Sequence, residues 1–284
     1  MSGKARNRPP RLEAKVGHQE LSPPPTLQHI LEHSHVSGEA ATPGPSELRR
    51  LVERAANDRV HPVLLDDAWA SVSETFGGTA ETPIVDPDLT IAAARRAVAR
   101  IVEVASMGAH IALATSLPAS LLTVYLALAR LARISGGNVA DDAHDSSPLR
   151  VDGRASRTIR WVDGVAVVTD GESLCATRGP DAAAEWLFLV PRPALVIADG
   201  PYADAALDAG IEVIALAGLD HCSLAVARRR GRSCLVVPMW TDRPPGAYKP
   251  LLEKALTAAL EPEVFTGHAD SPNGTHGSNG ARGV

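Results

Sequence analysis

Three short apolar runs in the C-terminal half of the chain constrain its fold more than any other feature. They cover residues 194–198, 212–217 and 234–238, and they are rich in Val, Ile and Leu. Each run is separated from the next by a segment with helical spacing. This alternation of strands and helices predicts a parallel sheet that is covered by helices.

Glycine and proline residues mark the ends of the two helices in this stretch. Pro201 stands at the first helical position, where its missing N–H costs nothing, and Gly210 is placed to end that helix. Asp220 is placed to cap the second helix, and Gly231 follows its basic last turn. Both helices are therefore predicted with defined ends.

Composition indicates a globular protein without a general attraction for nucleic acid. The 284 residues are 45% hydrophobic but only 4% aromatic, and the formal net charge is −5. A core of Ala, Val and Leu follows, and no basic field favours nucleic acid. The three cysteines form no CxxC pair and no secretory signal is visible, so we predict a cytoplasmic protein.

The chain divides into four predicted segments. Residues 1–35 form a basic, proline-rich tail and residues 261–284 a polar tail, both predicted to be disordered. Residues 36–83 are a helical N-terminal segment. Residues 84–260 are predicted to form a three-layer, Rossmann-like α/β domain with a mostly parallel sheet. The sequence makes no prediction of the oligomeric state.

The uncharged run from 111 to 129 is long enough to suggest a membrane span. Pro118 in its middle favours instead a buried strand, a tight turn and a buried helix, so no membrane association is predicted. The turn at Thr115 and Ser116 carries two hydroxyl groups. Such a turn before a helix can bind an anion through free N–H groups, although ordinary capping explains it equally well.

Four carboxylates stand at predicted strand ends or turns: Asp163, Asp170, Asp199 and Asp220. If two or three of them meet at one edge of the sheet, they could hold Mg²⁺ or serve as acid and base. The simpler interpretation is that Asp220 caps a helix and that Asp163 and Asp170 are turn residues. For Asp199, at the end of a buried strand, the functional and the structural interpretation are about equally favoured.

His221, Cys222 and Arg228 match the HCxxxxxR pattern of cysteine phosphatases, in which a thiolate lies in a loop of backbone N–H groups. The five residues between Cys222 and Arg228 contain no glycine and have the character of a buried helix. A continuous helix does not curl around a phosphate. We therefore do not favour this mechanism.

Much of the chain between residues 36 and 255 resembles a family of actinobacterial phosphatases. The resemblance is carried by IVDPDLT, ALATSLPASLLTVYLAL, VDGVAVVTDG, LVIADGPYADAALDAGIEVIALAGLD and LVVPMWTDRPPGAYKPLLE. The corresponding stretches of the family tend to read ATGHP, a His-Thr-His-Ser-like run and ADHG. This chain has Ser116-Leu117, residues 175–178 and Gly200 at those places. The resemblance thus implies a degenerate member that keeps the scaffold and Asp199.

Ligands of open parallel sheets bind outside the carboxyl ends of the strands, so we expect the site there. The predicted ligand-binding residues are Thr115, Ser116, Asp170 and Gly200, and the predicted catalytic residues are Asp199, Asp220 and His221. The first hypothesis is hydrolysis of a small phosphorylated metabolite, a phosphomonoester, with Asp199 and Asp220 placing a metal or water. The alternative is a degenerate relative that binds a phosphorylated ligand or a protein partner without turnover. A sugar-phosphate isomerase-like binding domain is a third option, based on the hydroxyl turn alone.

Overall fold

The structure is a computed structural model that describes residues 25–39, 43–57, 62–140, 148–149 and 157–260. The N-terminal part contains α1 (Leu27–His33), β1 (Gly38–Glu39), α2 (Pro45–Ala56) and α3 (Leu65–Phe76). The following elements are β2 (Ile84–Val85), α4 (Pro87–Ser106), β3 (His110–Ala114), α5 (Pro118–Ile134), β4 (Asn138–Val139), β5 (Pro148–Leu149), β6 (Arg157–Val162), β7 (Val165–Thr169) and β8 (Leu174–Cys175). The last are α6 (Pro180–Leu189), β9 (Leu195–Ala198), α7 (Gly200–Asp208), β10 (Glu212–Ala217), α8 (Ser223–Arg229), β11 (Cys234–Pro238) and α9 (Lys249–Leu260).

Within the described residues, nine strands form one sheet. Its main order is β11-β10-β9-β3-β7-β6-β5, with β4 paired to β3 and β8 paired to β7. The strands from β11 to β7 are parallel to one another, whereas β5, β6 and β8 add antiparallel neighbours at one side. The predicted α/β fold with a mostly parallel sheet is confirmed.

The winding of the sheet reverses next to β3. The chain leaves β3 for β7 on one side and then returns to the other side to form β9, β10 and β11 in succession. The five strands therefore have the doubly wound order 2-1-3-4-5. The crevice between the carboxyl ends of β3 and β9 is the topological switch point, where sheets of this kind bind their ligands.

Helices cover both faces of the sheet, because successive strand residues point to opposite sides. On β3, Ala112 and Ala114 face the layer that holds α2, α3, α6, α7 and α8. Ile111 and Leu113 face the opposite layer, which holds α1, α4, α5 and α9. The predicted three layers are thus present, and the N-terminal helices belong to them.

Helix α3 is attached to α8 by a buried hydrogen bond in which the Ser71 hydroxyl donates to the carbonyl oxygen of Ala225 over 2.6 Å.

Helix α1 lies within residues 1–35, which are predicted to be a disordered tail, so the structure corrects the predicted extent of that tail. Thr26 caps this helix by accepting from the N–H of His29, and Leu31 is fully buried. Leu31 belongs to the core layer that α4 and α9 also form, so this helix is part of the folded domain. Residues 1–24 and 261–284, the rest of the two predicted tails, lie outside the described residues.

The apolar run at 111–129 forms β3, a turn and α5, as predicted from Pro118, which begins the helix. In the part of the chain that the structure describes, no helix has both the length and the apolar character needed to cross a membrane.

Candidate functional site

Asp199 joins the two strand ends that meet at the switch point. It follows β9 and is 2% exposed. Its Oδ2 accepts a hydrogen bond from the Thr115 hydroxyl over 2.5 Å, and its Oδ1 accepts from the N–H of Ser116 over 2.6 Å. Burial raises the pKa of Asp199, although the hydrogen bonds from Ser116 and Thr115 oppose that shift by stabilising the carboxylate.

The same contacts decide what the hydroxyl turn can bind. The N–H of Ser116 is used by Asp199, and the N–H of Leu117 donates to the Thr115 hydroxyl over 3.1 Å. Neither N–H is free for a bound anion, so the predicted anion site on the backbone of this turn is not formed. The turn serves to hold the buried acid, and this removes the observation on which the isomerase-like interpretation was based.

Gly200 brings two further side chains to the switch point. Its φ of +47° is in the region that favours glycine. A Cβ atom at this position would lie 3.0 Å from Oγ of Ser116 and 3.4 Å from Nε2 of His221. The absence of a side chain therefore lets the hydroxyl from the end of β3 and the imidazole from the end of β10 approach the same point.

His221 is held by its neighbour Asp220. Both belong to a short 3₁₀ turn, Leu219–His221, between β10 and α8. The Nδ1 atom of His221 lies 3.2 Å from Oδ2 of Asp220, and the imidazole is about a third exposed. Asp220 does not cap α8 as predicted, because this extra turn moves the helix start onward to Ser223 and turns the carboxylate to the imidazole.

The protonation of this pair follows from its surroundings. Burial alone would lower the pKa of His221, but the hydrogen bond to Asp220 and the charges of Asp220, Asp204 and Asp199 outweigh it and raise the pKa. For Asp220, burial acts to raise the pKa, and the hydrogen bond and charge of His221, with Arg178, lower it instead. The imidazolium and the carboxylate therefore stabilise each other.

A polar cleft of about 290 Å³ lies beside Asp220. Its lining includes Leu117, Arg178, Asp220, Trp240, Thr241 and Arg243. Arg178 stands in the loop between β8 and α6, which is tied to the switch point because the N–H of Thr177 donates to the carbonyl oxygen of Ser116 over 3.0 Å. Arg243 follows β11 and lies with Nε 3.4 Å from Oδ1 of Asp242.

Sequence reasoning did not single out these two arginines. Arg178 is only the last residue of the run 175–178, and Arg243 only lies within a stretch that resembles the phosphatase family. For Thr241 and Arg243 the available signal was their position after β11, a strand that ends at the site edge. Arg178 follows β8, which runs antiparallel to β7, so strand direction gave no signal for it.

Of the two roles predicted for Asp170, ligand binding and a turn residue, the structure shows the second. Its Oδ1 accepts hydrogen bonds from the N–H groups of Glu172 and Ser173, over 3.1 and 2.8 Å. These bonds lower the pKa of Asp170, which is exposed to solvent. The structure assigns its carboxylate to the turn between β7 and β8, and Asp170 does not line the polar cleft.

Cys222 does not form the thiolate loop of a cysteine phosphatase. Burial raises the pKa of its thiol to about 12, and the side chain is 2% exposed. The residues after it form α8, as predicted, and Arg228 lies exposed in the last turn of that helix. The residues of the HCxxxxxR match therefore do not form a phosphate-binding loop.

No group of three or more His, Cys, Asp or Glu side chains in the described ranges is arranged to hold a metal ion. Both oxygens of Asp199 are already engaged by Thr115 and Ser116. The predicted Mg²⁺ therefore gains no set of ligands from Asp199 and Asp220 in this part of the chain.

Fold and site together define a doubly wound α/β protein with a buried acid at its switch point and an Asp-His pair beside a cleft with two arginines. The model of the Phosphatase family matches residues 24–262, and the chain belongs to this family. It is also similar to Phosphatase SCO2771 of Streptomyces coelicolor, with 26% identity over 260 residues, which are 83% of this chain and 97% of the relative. The resemblance to actinobacterial phosphatases is thereby confirmed.

Proposed function

We propose that this protein hydrolyses phosphomonoesters in the polar cleft, with His221 as the general acid. One observation carries the proposal. Nε2 of His221 lies within 3.4 Å of the Cβ position of Gly200, at the switch point, while Nδ1 of the same ring is held by Asp220. An imidazole oriented in this way keeps one nitrogen available to a ligand.

The reaction needs the imidazolium form of His221, which the raised pKa of this residue favours. A water molecule attacks phosphorus and the P–O bond to the alcohol breaks. The electron pair of that bond goes to the leaving oxygen, which receives the proton from Nε2. The attacking water loses a proton, which restores the imidazolium, and inorganic phosphate and the alcohol are released.

Arg178 and Arg243 supply the positive charge that a phosphate needs. A guanidinium group matches two phosphate oxygens with two N–H donors, which gives both affinity and orientation. Three acids also line the cleft: Glu47, Asp220 and Asp242. Asp220 is paired with His221, but Asp242 is paired with Arg243, so a phosphate would compete with this carboxylate for the guanidinium. The phosphate would lie between the two arginines with its ester oxygen toward His221.

Asp199 acts in this scheme as a positioning residue. Its carboxylate is buried and bonded to Thr115 and Ser116, so it sets the geometry of the turn that carries the Ser116 hydroxyl. The substrate class is a small phosphorylated metabolite. We place the activity in the cytoplasm, since Cys175, Cys222 and Cys234 are all free thiols.

Binding of a phosphorylated ligand without turnover is a second candidate. It is favoured by one observation: neither Asp199 nor Cys222 is available as a nucleophile. Both oxygens of Asp199 accept hydrogen bonds, and the thiol of Cys222 is protonated. A cleft with two arginines would then hold a phosphate group as a recognition site.

A phosphate-release assay over a panel of phosphomonoesters, with and without Mg²⁺, separates the two candidates. We expect turnover that His221→Gln lowers by about 10²-fold or more, since general-acid contributions are about 10²- to 10⁴-fold. His110→Gln is the matched control, because His110 is exposed at the start of β3, the opposite end of that strand. Thermal stabilisation by inorganic phosphate without release from any ester would establish binding instead.

A further inference from the structure

A groove between α6 and α7 lies beside the polar cleft and has no part in the reaction above. Its volume is about 670 Å³, and its apolar walls include Leu187 and Phe188 from α6 and Pro201 and Ala205 from α7. Phe188 is 86% exposed, more than any other large apolar side chain in the described part of the chain. An aromatic ring with this exposure has most of its apolar surface available for contact with a ligand.

Two residues connect this groove to the polar cleft. Arg178 lines both spaces, so a phosphate bound to its guanidinium in the cleft has the groove directly beside it. Asp204 lines the groove from α7, and its charge acts on His221, which places this wall close to the imidazole. An ester that is held by its phosphate at Arg178 can therefore extend its alcohol along α6 and α7.

We propose that the preferred substrates are phosphomonoesters of aromatic alcohols, with the phosphate at Arg178 and the aromatic ring against Phe188 and Leu187. This inference rests on the proposed function, since it names the substrate class of the same site. Ring-to-ring contact and flat apolar walls favour an aromatic group over a short polar one. Asp204 and Asp208 in the groove repel a second phosphate, so bisphosphates are disfavoured.

The first test measures binding alone and does not depend on turnover. Benzylphosphonate and ethylphosphonate carry the same anion and differ in the ring, so calorimetry of both isolates the contribution of the groove. We expect benzylphosphonate to bind about tenfold more tightly, because the ring leaves water on entering the groove. Phe188→Ala should remove most of this difference, and Phe188→Tyr should keep it.

Met107→Ala is the matched control for these variants. Met107 is also a well-exposed apolar side chain, at 67%, but it follows α4 and does not line the groove. Its replacement should leave both affinities unchanged. Because Phe188 is already in solvent, its replacement by alanine should not prevent folding.

The second test compares kcat/KM for benzyl phosphate and ethyl phosphate, whose alcohols are of similar acidity as leaving groups. We expect benzyl phosphate to be favoured by about tenfold in the wild type and hardly at all in Phe188→Ala. Equal affinity for the two phosphonates, or an unchanged preference in Phe188→Ala, overturns the proposal even if both esters are hydrolysed. Phe188-dependent binding of benzylphosphonate without hydrolysis of any ester would overturn the proposed hydrolysis and keep the groove as the ligand site.

Discussion

The hydroxyl of Thr115 donates to Oδ2 of Asp199 over 2.5 Å and thereby links the ends of β3 and β9, the two strands between which the sheet reverses its winding. The link is buried, since Thr115 is fully inaccessible and Asp199 is 2% exposed. Asp199 also accepts from the N–H of Ser116, so the turn and the acid hold each other. The position of the Ser116 hydroxyl near Gly200 depends on these two hydrogen bonds.

Replacement of Thr115 by valine tests the link between Thr115 and Asp199. The shape is kept but the donor is lost, and a buried carboxylate without its partner costs about 1–3 kcal/mol. We expect urea denaturation to show a loss of that size in the free energy of unfolding. Thr79→Val is the control, because its hydroxyl bonds with Thr82 and the N–H of Glu81 in an exposed turn, where water can replace it, and its effect should stay below about 1 kcal/mol. Equal losses in the two variants would contradict the role given to Thr115.

The pair of Asp220 and His221 makes stability depend on pH in a defined direction. The pKa of His221 in the folded protein is raised above the unfolded value of about 6.5, so its contribution is complete below that value and is lost as pH rises through the folded pKa. The pKa of Asp220 is lowered, so its contribution is present above about 3.9 and is lost as pH falls through the folded pKa. His221→Gln should therefore destabilise most between about pH 4 and pH 6.5, and its effect should shrink as pH rises through the folded pKa of His221.

Titration of the imidazole by NMR measures the same coupling directly. Asp220→Asn removes the hydrogen bond and charge that raise the pKa of His221, so the titration midpoint should move to lower pH. The acidic form is the active one in the proposed reaction, so kcat/KM should fall above the pKa of His221, and in Asp220→Asn this fall should begin at lower pH. An unchanged midpoint in Asp220→Asn would show that the carboxylate does not act on the ring.

Gly200→Ala should impair the site, and Gly210→Ala serves as its control. Both glycines have positive φ, +47° and +74°, so alanine costs about 1–2 kcal/mol of backbone strain at either place. Only at Gly200 does the new Cβ press on Ser116 and His221, because nothing lies within 4 Å of that position at Gly210. We expect similar losses of stability but a fall in kcat/KM, about tenfold or more, for Gly200→Ala alone. Equal activities would mean that the space beside Gly200 is not used.

Cys222→Ala should leave phosphate release unchanged, because burial raises the pKa of this thiol to about 12 and keeps it protonated. Iodoacetamide should likewise modify Cys175 before Cys222 or Cys234, whose pKa burial also raises to about 12. Mass spectrometry of the labelled protein with a parallel assay checks both statements. A loss of turnover in Cys222→Ala, with stability retained, would restore the cysteine mechanism.

Local features of the sequence were sufficient to predict most elements. The runs at Glu212–Ala217 and Cys234–Pro238 are strands with the predicted ends, and Gly210 and Gly231 end their helices with positive φ. The turn at Asp163 and Gly164 between β6 and β7 was predicted in the same way. In these places, the signal lies within a few residues: apolar side chains that must be buried, bounded by residues that favour a turn.

The partners of the polar side chains were less predictable. Asp220 has a sequence position suitable for a helix cap, yet the 3₁₀ turn that precedes α8 directs it to His221. Asp170 ends a parallel strand, as a site residue would, yet the two N–H groups of its own turn engage its carboxylate. A hydrogen bond forms with whichever donor the folded chain brings nearest, and composition does not contain that information.

The sequence by itself determined that the chain is an α/β protein with a parallel sheet, because periodicity and turn residues act over short distances. Only the tertiary structure decided that β3 lies between β7 and β9, which brings Thr115 beside Asp199 although 84 positions separate them. Strand order depends on how whole layers pack against each other. The candidate site at the switch point, with Asp199, Gly200 and His221, is a consequence of that order.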